Sequence, residues 1–526
     1  MYDYLIQNGF IADGSGGPVE KGDLAIKDGR IEAIEKHISP GLAQKVMDAE
    51  NMIVAPGFID IHSHSDVNFL SDDRCESKLY QGVTTELMGQ CGSSVYPAPD
   101  EHYDRIEAFA GSKAMGYASF SLADFAEKIA SDKKKMSTNL LPLVGHGALR
   151  CGVMGYENRP AGKSELDAMR FLLARDMADG AWGLSLGLGY TPGVSSDVNE
   201  LASLGEIVAA HDGIVTSHMR NQGTHTPESL NEMYEIFRRS GAHVHIAHFK
   251  ASGKAAWGRA QEFIDHVHKA QHSGIHVTAD VYPYTAASSG ITNSFPKWSI
   301  QGGKTHALDI LAGPERYKII SYLEQKYASP EDGKRLVVVS AGEALPEANG
   351  KNMFELSELW GISQAEAVAR VAEKSRAGAT CISFSMTEPD VDIMLSQMDF
   401  AIGSDGRALP FDPLMNAGKP HPRNFGTFPR FLKFARENNI CEAGQAVRRL
   451  TGLSADIIGL KNRGYLRPGY VADITIFNWD KVADRATYSD PFQKPEGIEA
   501  VFTGGCLALW EGTQTAVRNG SLLLKP

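Results

Sequence analysis

Short apolar runs alternate with amphipathic stretches through most of this 526-residue chain. Between about residues 56 and 464 the apolar runs are separated by segments with helical spacing, which is the pattern of βα units around a parallel sheet. The predicted strands lie near residues 58–64, 84–89, 139–146, 181–187, 214–218, 243–248, 276–282 and 400–405. Eight such units predict an α/β protein with a (β/α)8 barrel, in which functional side chains follow the carboxyl ends of the strands.

Both ends of the chain have a different pattern, in which short β segments are separated by turns. The candidate strands are residues 4–6, 23–26, 30–34, 472–477 and 500–505. Neither end alone has enough strands to bury a face. We therefore expect residues 1–55 and 465–526 to form one small β-sandwich domain beside a catalytic barrel of residues 56–464.

The region between about residues 285 and 399 is too long for a single βα connection. It contains helix and strand signals of its own, including the apolar run at residues 335–340. We expect an insertion at about residues 285–345 that covers the active-site face of the barrel as a lid.

Residue types that bind metals recur at the ends of separate predicted strands. They are His62, His64, Cys91, His218, His248 and Asp405. His62 and His64 are two positions apart, so both project to the same side of an extended strand. Imidazole suits zinc and other transition metals, and two adjacent dications need a bridging anion, for which the thiolate of Cys91 is a candidate. The recurrence at several strand ends predicts a metal site.

Each of these residues also has a purely structural interpretation. His62 and His64 could lie on the surface near a turn, and Cys91 could be a small buried side chain. Asp405 could be a turn aspartate. His218 and His248 could likewise be core histidines with satisfied hydrogen bonds, so the metal interpretation depends on the placement of all six together.

Composition and charge narrow the class of protein. The chain has 52 basic and 64 acidic residues, a net charge of −12, which argues against a nucleic-acid partner. The first residues have no basic and apolar signal pattern and no long uncharged run follows, so we expect a cytoplasmic protein without a membrane segment. The six cysteines are far apart and predict neither a disulfide framework nor a zinc ribbon.

Several motifs resemble those of the D-aminoacylase (N-acyl-D-amino-acid deacylase) family of the amidohydrolase superfamily, over essentially the whole chain. The matching segments are residues 56–64 (PGFIDIHSH), 82–85 (GVTT), 91–92 (CG), 217–220 (SHMR), 246–250 (IAHFK), 279–284 (ADVYPY), 404–406 (SDG), 421–430 (HPRNFGTFPR) and 469–474 (GYVADI). Many members of the superfamily bridge their metals with a carbamylated lysine, whereas Cys91 matches the cysteine that has this role in D-aminoacylases. The difference argues against dihydroorotase or hydantoinase chemistry.

The resemblance implies a role for each matching residue. Cys91, His218 and His248 match a tight zinc site, and His62 and His64 match a weaker second site that shares Cys91 and Asp405. The residues that match the binding site for the substrate α-carboxylate are Lys250, Tyr282, Ser288 and Arg423. Tyr190 is a weaker match for a residue that polarises the amide oxygen.

The implied activity is zinc-dependent hydrolysis of N-acyl-D-amino acids to a carboxylate and a free D-amino acid. In this reaction the metal activates the attacking water, and Asp405 is the general base and then the general acid. Two alternatives remain open: another amide hydrolase of the superfamily, such as an isoaspartyl dipeptidase-like or allantoinase-like enzyme, and a non-catalytic barrel that acts as an interaction protein. The preferred side chain, the acyl group, the occupancy of the second metal site and the oligomeric state do not follow from the sequence.

Overall fold

The computed structural model describes residues 1–99, 103–110 and 117–526. The strands, numbered along the chain, are β1 (Tyr2–Ile11), β2 (Glu20–Lys27), β3 (Arg30–Glu35), β4 (Ala43–Asp48), β5 (Ile53–Pro56), β6 (Phe58–Asp60), β7 (Val83–Met88), β8 (Asn139–Pro142), β9 (Val144–Gly145), β10 (Gly183–Gly187), β11 (Ile214–His218), β12 (His243–Ile246), β13 (Val277–Val281), β14 (Ala286–Gly290), β15 (Leu336–Ser340), β16 (Thr380–Phe384), β17 (Phe400–Ile402), β18 (Ile474–Phe477), β19 (Ile498–Thr503), β20 (Cys506–Trp510) and β21 (Thr513–Gln514).

The α-helices are α1 (Asn68–Ser71), α2 (Glu76–Leu79), α3 (Tyr103–Ala110), α4 (Leu122–Ser131), α5 (His146–Met154), α6 (Lys163–Ala178), α7 (Val198–Ala210), α8 (Thr226–Ser240), α9 (Ala260–His272), α10 (Lys297–Ile300), α11 (Gly303–Ala312), α12 (Arg316–Lys326), α13 (Pro330–Lys334), α14 (Met353–Trp360), α15 (Gln364–Lys374), α16 (Glu388–Leu395), α17 (Arg423–Glu437), α18 (Ala443–Leu450) and α19 (Gly452–Ile458). No helix in the described ranges is both long and apolar enough to cross a membrane.

Eight parallel strand positions form a closed barrel. The strands pair in the orders β6–β7–β8 and β9–β10–β11–β12–β13–β17, and β8 and β9 are two parts of one strand interrupted at Leu143. The barrel closes between its first and last strands, where the amide of Asp405 donates to the carbonyl of His62 and the amide of His64 donates to the carbonyl of Gly406, both at 2.8 Å. The strands are buried on both faces, as in β7, which explains their continuous apolar runs. This architecture confirms the predicted fold class.

Strands from both ends of the chain lie in one nine-stranded sheet. β5 pairs with β1 from the same end and with β18 from the far end, so it joins the two halves. The last residues leave this sheet and run along the amino-terminal end of the barrel. There the indole of Trp182 donates to the carbonyl of Leu523 at 2.7 Å, and Leu140 pairs with the same segment through its amide and carbonyl. The amino-terminal end of the barrel is therefore covered.

The inserted region has its own antiparallel sheet, β14–β16–β15, and its own apolar cluster around Phe295, Leu336 and Leu356. Its central strand is β16, so the inserted unit continues to Phe384, beyond the end near residue 345 that the sequence suggested. The unit contacts the barrel loops at Trp257, which donates to the carbonyl of Ser385 at 2.8 Å. These contacts hold the insertion on the carboxyl side of the barrel strands.

Candidate metal centre

All six predicted metal-binding side chains lie at, or within four residues of, the carboxyl end of a barrel strand. His62 and His64 follow β6, Cys91 follows β7, His218 ends β11, His248 follows β12 and Asp405 follows β17. Three of them have left-handed backbone conformations that non-glycine residues rarely adopt: φ is 56° at Cys91, 38° at His248 and 51° at Asp405. Such strain is characteristic of functional sites, because the surrounding fold must stabilise it.

Cys91, His218 and His248 face a common point. Sγ of Cys91 lies 3.4 Å from Nε2 of His248 and 3.9 Å from Nδ1 of His218, and the two imidazole nitrogens are 2.9 Å apart. Three protein donors with one open position are the ligand arrangement of catalytic zinc sites. These three side chains therefore fit a single zinc ion.

A second group of donors adjoins the first. Nε2 of His62 lies 3.5 Å from Sγ of Cys91 and 3.7 Å from Oδ1 of Asp405, and that oxygen is 3.1 Å from Nε2 of His64. The ligand atoms of His62, His64 and Cys91 lie within 4.8 Å of one another, as do those of His62, His248 and Asp405. Cys91 belongs to both groups, which is the position required of a bridge between two metals.

Protonation states in the site suit metal binding. Burial, with a smaller contribution from the ammonium group of Lys250, lowers the pKa of His218 and of His248 well below the usual value, so both imidazoles are neutral. Burial would raise the pKa of Asp405, but the guanidinium of Arg423 and the hydrogen bond with His64 outweigh it and hold this pKa well below its usual value. The site thus presents the neutral imidazoles of His218 and His248 and the carboxylate of Asp405.

Three of the four predicted carboxylate-binding residues lie together beside the donors. Lys250 Nζ donates to Oε1 of Gln222 at 2.7 Å and lies 2.8 Å from Nδ1 of His248. The charged groups of Lys250 and Arg423 lie 5.2 and 5.4 Å from the ring centre of Tyr282, whose buried hydroxyl has no hydrogen-bond partner among the described residues. Two cations and an unused hydroxyl donor suit an anionic ligand.

Of the other two predicted substrate-binding residues, Ser288 lies on the insertion and Tyr190 lies beside His218. Ser288 is half-buried on β14 of the insertion, opposite Ile382, and no hydrogen bond in the described ranges joins its hydroxyl to Lys250, Tyr282 or Arg423. The ring of Tyr190 lies 4.4 Å from that of His218. Burial raises the pKa of Tyr190 well above its usual value, so the hydroxyl keeps its proton and can donate.

Sequence reasoning gave no role to a layer of charged residues beneath the donors. Asp280 on β13 is fully buried and contacts both His248 and His62. Lys78 on α2, also fully buried, donates to Oδ2 of Asp60 at 2.5 Å and to Oγ of Ser404 at 2.8 Å. For Asp280 the available signal was a charged residue inside an otherwise apolar strand, because such a residue needs a partner.

Comparison with known proteins identifies the family of this chain. The model of the amidohydrolase family matches residues 45–288. The chain is 32% identical to N-acyl-D-aspartate deacylase of Alcaligenes xylosoxydans xylosoxydans over 528 aligned residues, which cover 100% of this chain and 95% of the relative. This chain belongs to the D-aminoacylase family of amidohydrolases.

Two solved structures of this family cover the chain completely. The structure of N-acyl-D-glutamate deacylase from Bordetella bronchiseptica, complexed with zinc and a phosphonate mimic of the tetrahedral intermediate, is 29% identical with a TM-score of 0.83 over 100% of both chains. A D-aminoacylase with a binuclear metal centre, for which one-metal activation and second-metal attenuation are described, is 30% identical with a TM-score of 0.82 over 100% of both chains. The D-aminoacylase family therefore includes proteins whose names specify different D-amino acids.

Proposed function

We propose that this protein hydrolyses the amide bond of N-acyl-D-amino acids, releasing a carboxylate and a free D-amino acid. The observation that carries the proposal is the convergence of Cys91, His218 and His248 next to an ionised Asp405 and the cations of Lys250 and Arg423. A metal donor set, a general base and an anion-binding group thus line one mouth of the barrel. Family membership and the zinc-bound relative support the same assignment.

Zinc is the proposed cofactor. The fit rests on the donor set, because neutral imidazoles and a thiol suit zinc, and a bound dication deprotonates a coordinating thiol even where burial raises its pKa, as it does for Cys91. We assign the tight site to Cys91, His218 and His248. A weaker second site would use His62 and His64 and share Cys91 and Asp405, as the relative with a binuclear centre suggests.

Asp405 is the proposed general base and acid. When bound, zinc would lower the pKa of a water molecule and polarise the substrate carbonyl. The carboxylate of Asp405 accepts the proton of the attacking water and then donates it to the amine, since an unprotonated amine is a poor leaving group. Arg423 helps to keep this carboxylate ionised, so it is ready to accept the proton. Asp405 therefore serves two successive proton transfers.

Substrate orientation depends on the anion-binding residues. Lys250, Arg423 and the hydroxyl of Tyr282 would hold the α-carboxylate, with Ser288 contributed by the insertion and Tyr190 donating to the amide oxygen. With the carboxylate and the amide both fixed, enantiomers differ only in which side of Cα the side chain occupies, so the space available on each side selects the configuration. The preference for D over L is supported by the relatives, whose names specify D-amino acids.

We further propose a cytoplasmic location. All six cysteines are unpaired in the structure. Unpaired cysteines in this number are typical of a reducing compartment. Detection of the protein in the cytoplasmic fraction of its cells would test the location.

A substrate panel tests the proposed activity. The zinc-loaded protein is incubated with N-acetyl and N-formyl derivatives of matched D- and L-amino acids, acidic and apolar, and the released amine is measured. We expect hydrolysis of D substrates only, and loss of activity after zinc is removed with a chelator. Cyclic amides such as hydantoins serve as controls, and hydrolysis of cyclic amides or of L substrates alone would contradict the proposal.

A further inference from the structure

We propose that Asp280 is a positioning residue that orients two of the assigned zinc ligands, His62 and His248, and that His245 in turn holds Asp280 in place. The inference rests on the proposed zinc site. Asp280 is the second residue of the segment ADVYPY (279–284), which also contains the substrate-binding candidate Tyr282.

The carboxylate of Asp280 contacts residues from two other barrel strands and the loops that follow them. Oδ1 accepts a hydrogen bond from the backbone amide of His248 at 2.9 Å. Oδ2 lies 3.6 Å from Nδ1 of His62 and 2.8 Å from Nε2 of His245. One side chain on β13 therefore touches the loop after β12 and a side chain that follows β6.

The contact with His62 determines which nitrogen faces the metal. Nδ1 of His62 is buried and has no hydrogen-bond partner among the described residues, and Asp280 is the carboxylate beside it. A carboxylate next to Nδ1 favours the tautomer with its proton on that nitrogen, which leaves the lone pair of Nε2 free for a metal. Nε2 is the atom that lies 3.5 Å from Sγ of Cys91.

The contact with His248 acts on the backbone. His248 has a positive φ of 38°, an unfavourable conformation for a residue with a side chain. The hydrogen bond from its amide to Asp280 stabilises this conformation and so directs the imidazole towards Cys91 and His218. Loss of this bond would leave a buried amide unpaired and release the strained loop.

The side chain of His245, which contacts Asp280, is itself held by hydrogen bonding. Nδ1 of His245 lies 2.8 Å from Oγ1 of Thr278, and the same hydroxyl lies 2.8 Å from Nε2 of His243. His245 and Asp280 are both fully buried. The backbone of Gly403 closes the remaining side, because a Cβ at this position would lie 2.8 Å from Oδ1 of Asp280 and 2.7 Å from Cβ of His62. The carboxylate has little room to adopt another orientation.

Zinc affinity is the primary test. Asp280→Asn, His245→Gln and the double variant are titrated with zinc against a chelator of known affinity, and the cobalt-loaded forms are compared by visible absorption, which reports ligand geometry. We expect zinc affinity to fall about 10- to 100-fold in Asp280→Asn, as for other residues that orient metal ligands. His245→Gln should reduce zinc affinity by a smaller factor. The double variant should bind zinc no more weakly than Asp280→Asn, because His245 acts through Asp280.

A matched control separates positioning from general destabilisation. Asp176→Asn replaces another fully buried carboxylate, on α6, that is hydrogen-bonded to the amide of Leu122 rather than to the site. It should keep the wild-type zinc affinity and cobalt spectrum. An equal loss of zinc affinity in Asp176→Asn would overturn the proposal, as would wild-type affinity and spectrum in both Asp280→Asn and His245→Gln.

Failure of a variant to fold and failure of the wild type to bind zinc would lead to different conclusions. If Asp280→Asn does not fold, His245→Gln alone decides, since it leaves the carboxylate in place: weaker zinc binding supports the inference and unchanged binding overturns it. Failure of the wild-type protein to bind zinc would instead reject the proposed function. The wild type could bind zinc and hydrolyse the substrate while Asp280→Asn and His245→Gln both keep the wild-type zinc affinity and cobalt spectrum. That result would reject only the role of Asp280.

Discussion

Oδ2 of Asp405 lies 2.8 Å from Nη1 of Arg423. The carboxylate assigned to proton transfer is thus paired with a guanidinium assigned to substrate binding. The other oxygen of Asp405 faces His64 at 3.1 Å. The pairing explains how a buried carboxyl group remains ionised, and it couples the binding of an anionic substrate to the environment of the base.

Replacement of Asp405 with Asn should separate metal binding from turnover. The amide keeps the shape of the side chain but cannot accept the proton of water. We expect kcat/KM to fall about 10²- to 10⁴-fold, the range for loss of a general acid or base. Zinc in the tight site should remain close to the wild-type level when measured by atomic absorption. A near-normal rate in this variant would reject the assigned role of Asp405.

Substitutions of Cys91 and of His64 should have different effects on the zinc content of the protein. Cys91→Ala removes a ligand of the tight site that the second group shares, so the variant should lose bound zinc and activity together. His64→Asn removes a ligand of the second group only, and should reduce activity while one zinc remains bound through Cys91, His218 and His248. Zinc stoichiometry after dialysis distinguishes the two outcomes. Full metal content and activity in Cys91→Ala would exclude Cys91 as a ligand.

Deprotonation of Lys250 should lower kcat/KM at alkaline pH. Burial lowers the pKa of its ammonium group to about 8, so the group is cationic below this pH and neutral above it. A neutral amine binds the α-carboxylate less well, and kcat/KM reports groups of the free enzyme. We expect kcat/KM to decline as the pH rises through about 8, mainly through an increase in KM. The Lys250→Met variant should have a lower kcat/KM at all pH values and should lack this decline. If the variant shows the same decline, the titrating group is another residue.

Lys78 should be essential for stability. Its ammonium group lies 2.5 Å from Asp60 and 3.5 Å from Glu86, and all three side chains are fully buried. Lys78→Met would leave two buried carboxylates without a cation, which costs about 3–5 kcal/mol in the free energy of unfolding. Urea denaturation measures the loss. Lys163→Met, which breaks an exposed pair with Asp167, is the control and should change stability little. Equal stability of the two variants would contradict the prediction.

The barrel and the donor set could be predicted from local patterns. Each barrel strand is a short apolar run, and the residues that follow these runs include His62, Cys91, His218 and Asp405. Because parallel barrel strands have their carboxyl ends on one side, residues that follow separate strands must share that side. The family resemblance added the roles of Lys250 and the other substrate-binding candidates, which spacing alone does not indicate.

Other features depend on contacts between segments far apart in the chain. The position of Asp280 beneath His62, the burial of Lys78 between Asp60 and Glu86, and the path of the last residues past Trp182 each join segments that no local period connects. The extent of the insertion was likewise decided by β16, whose pairing with both β14 and β15 is visible only in the sheet. The sequence by itself therefore determined the strand ends and their chemistry, because side-chain direction along a strand is local. Only tertiary structure decided which buried charges neutralise one another, because partners are selected by distance in three dimensions.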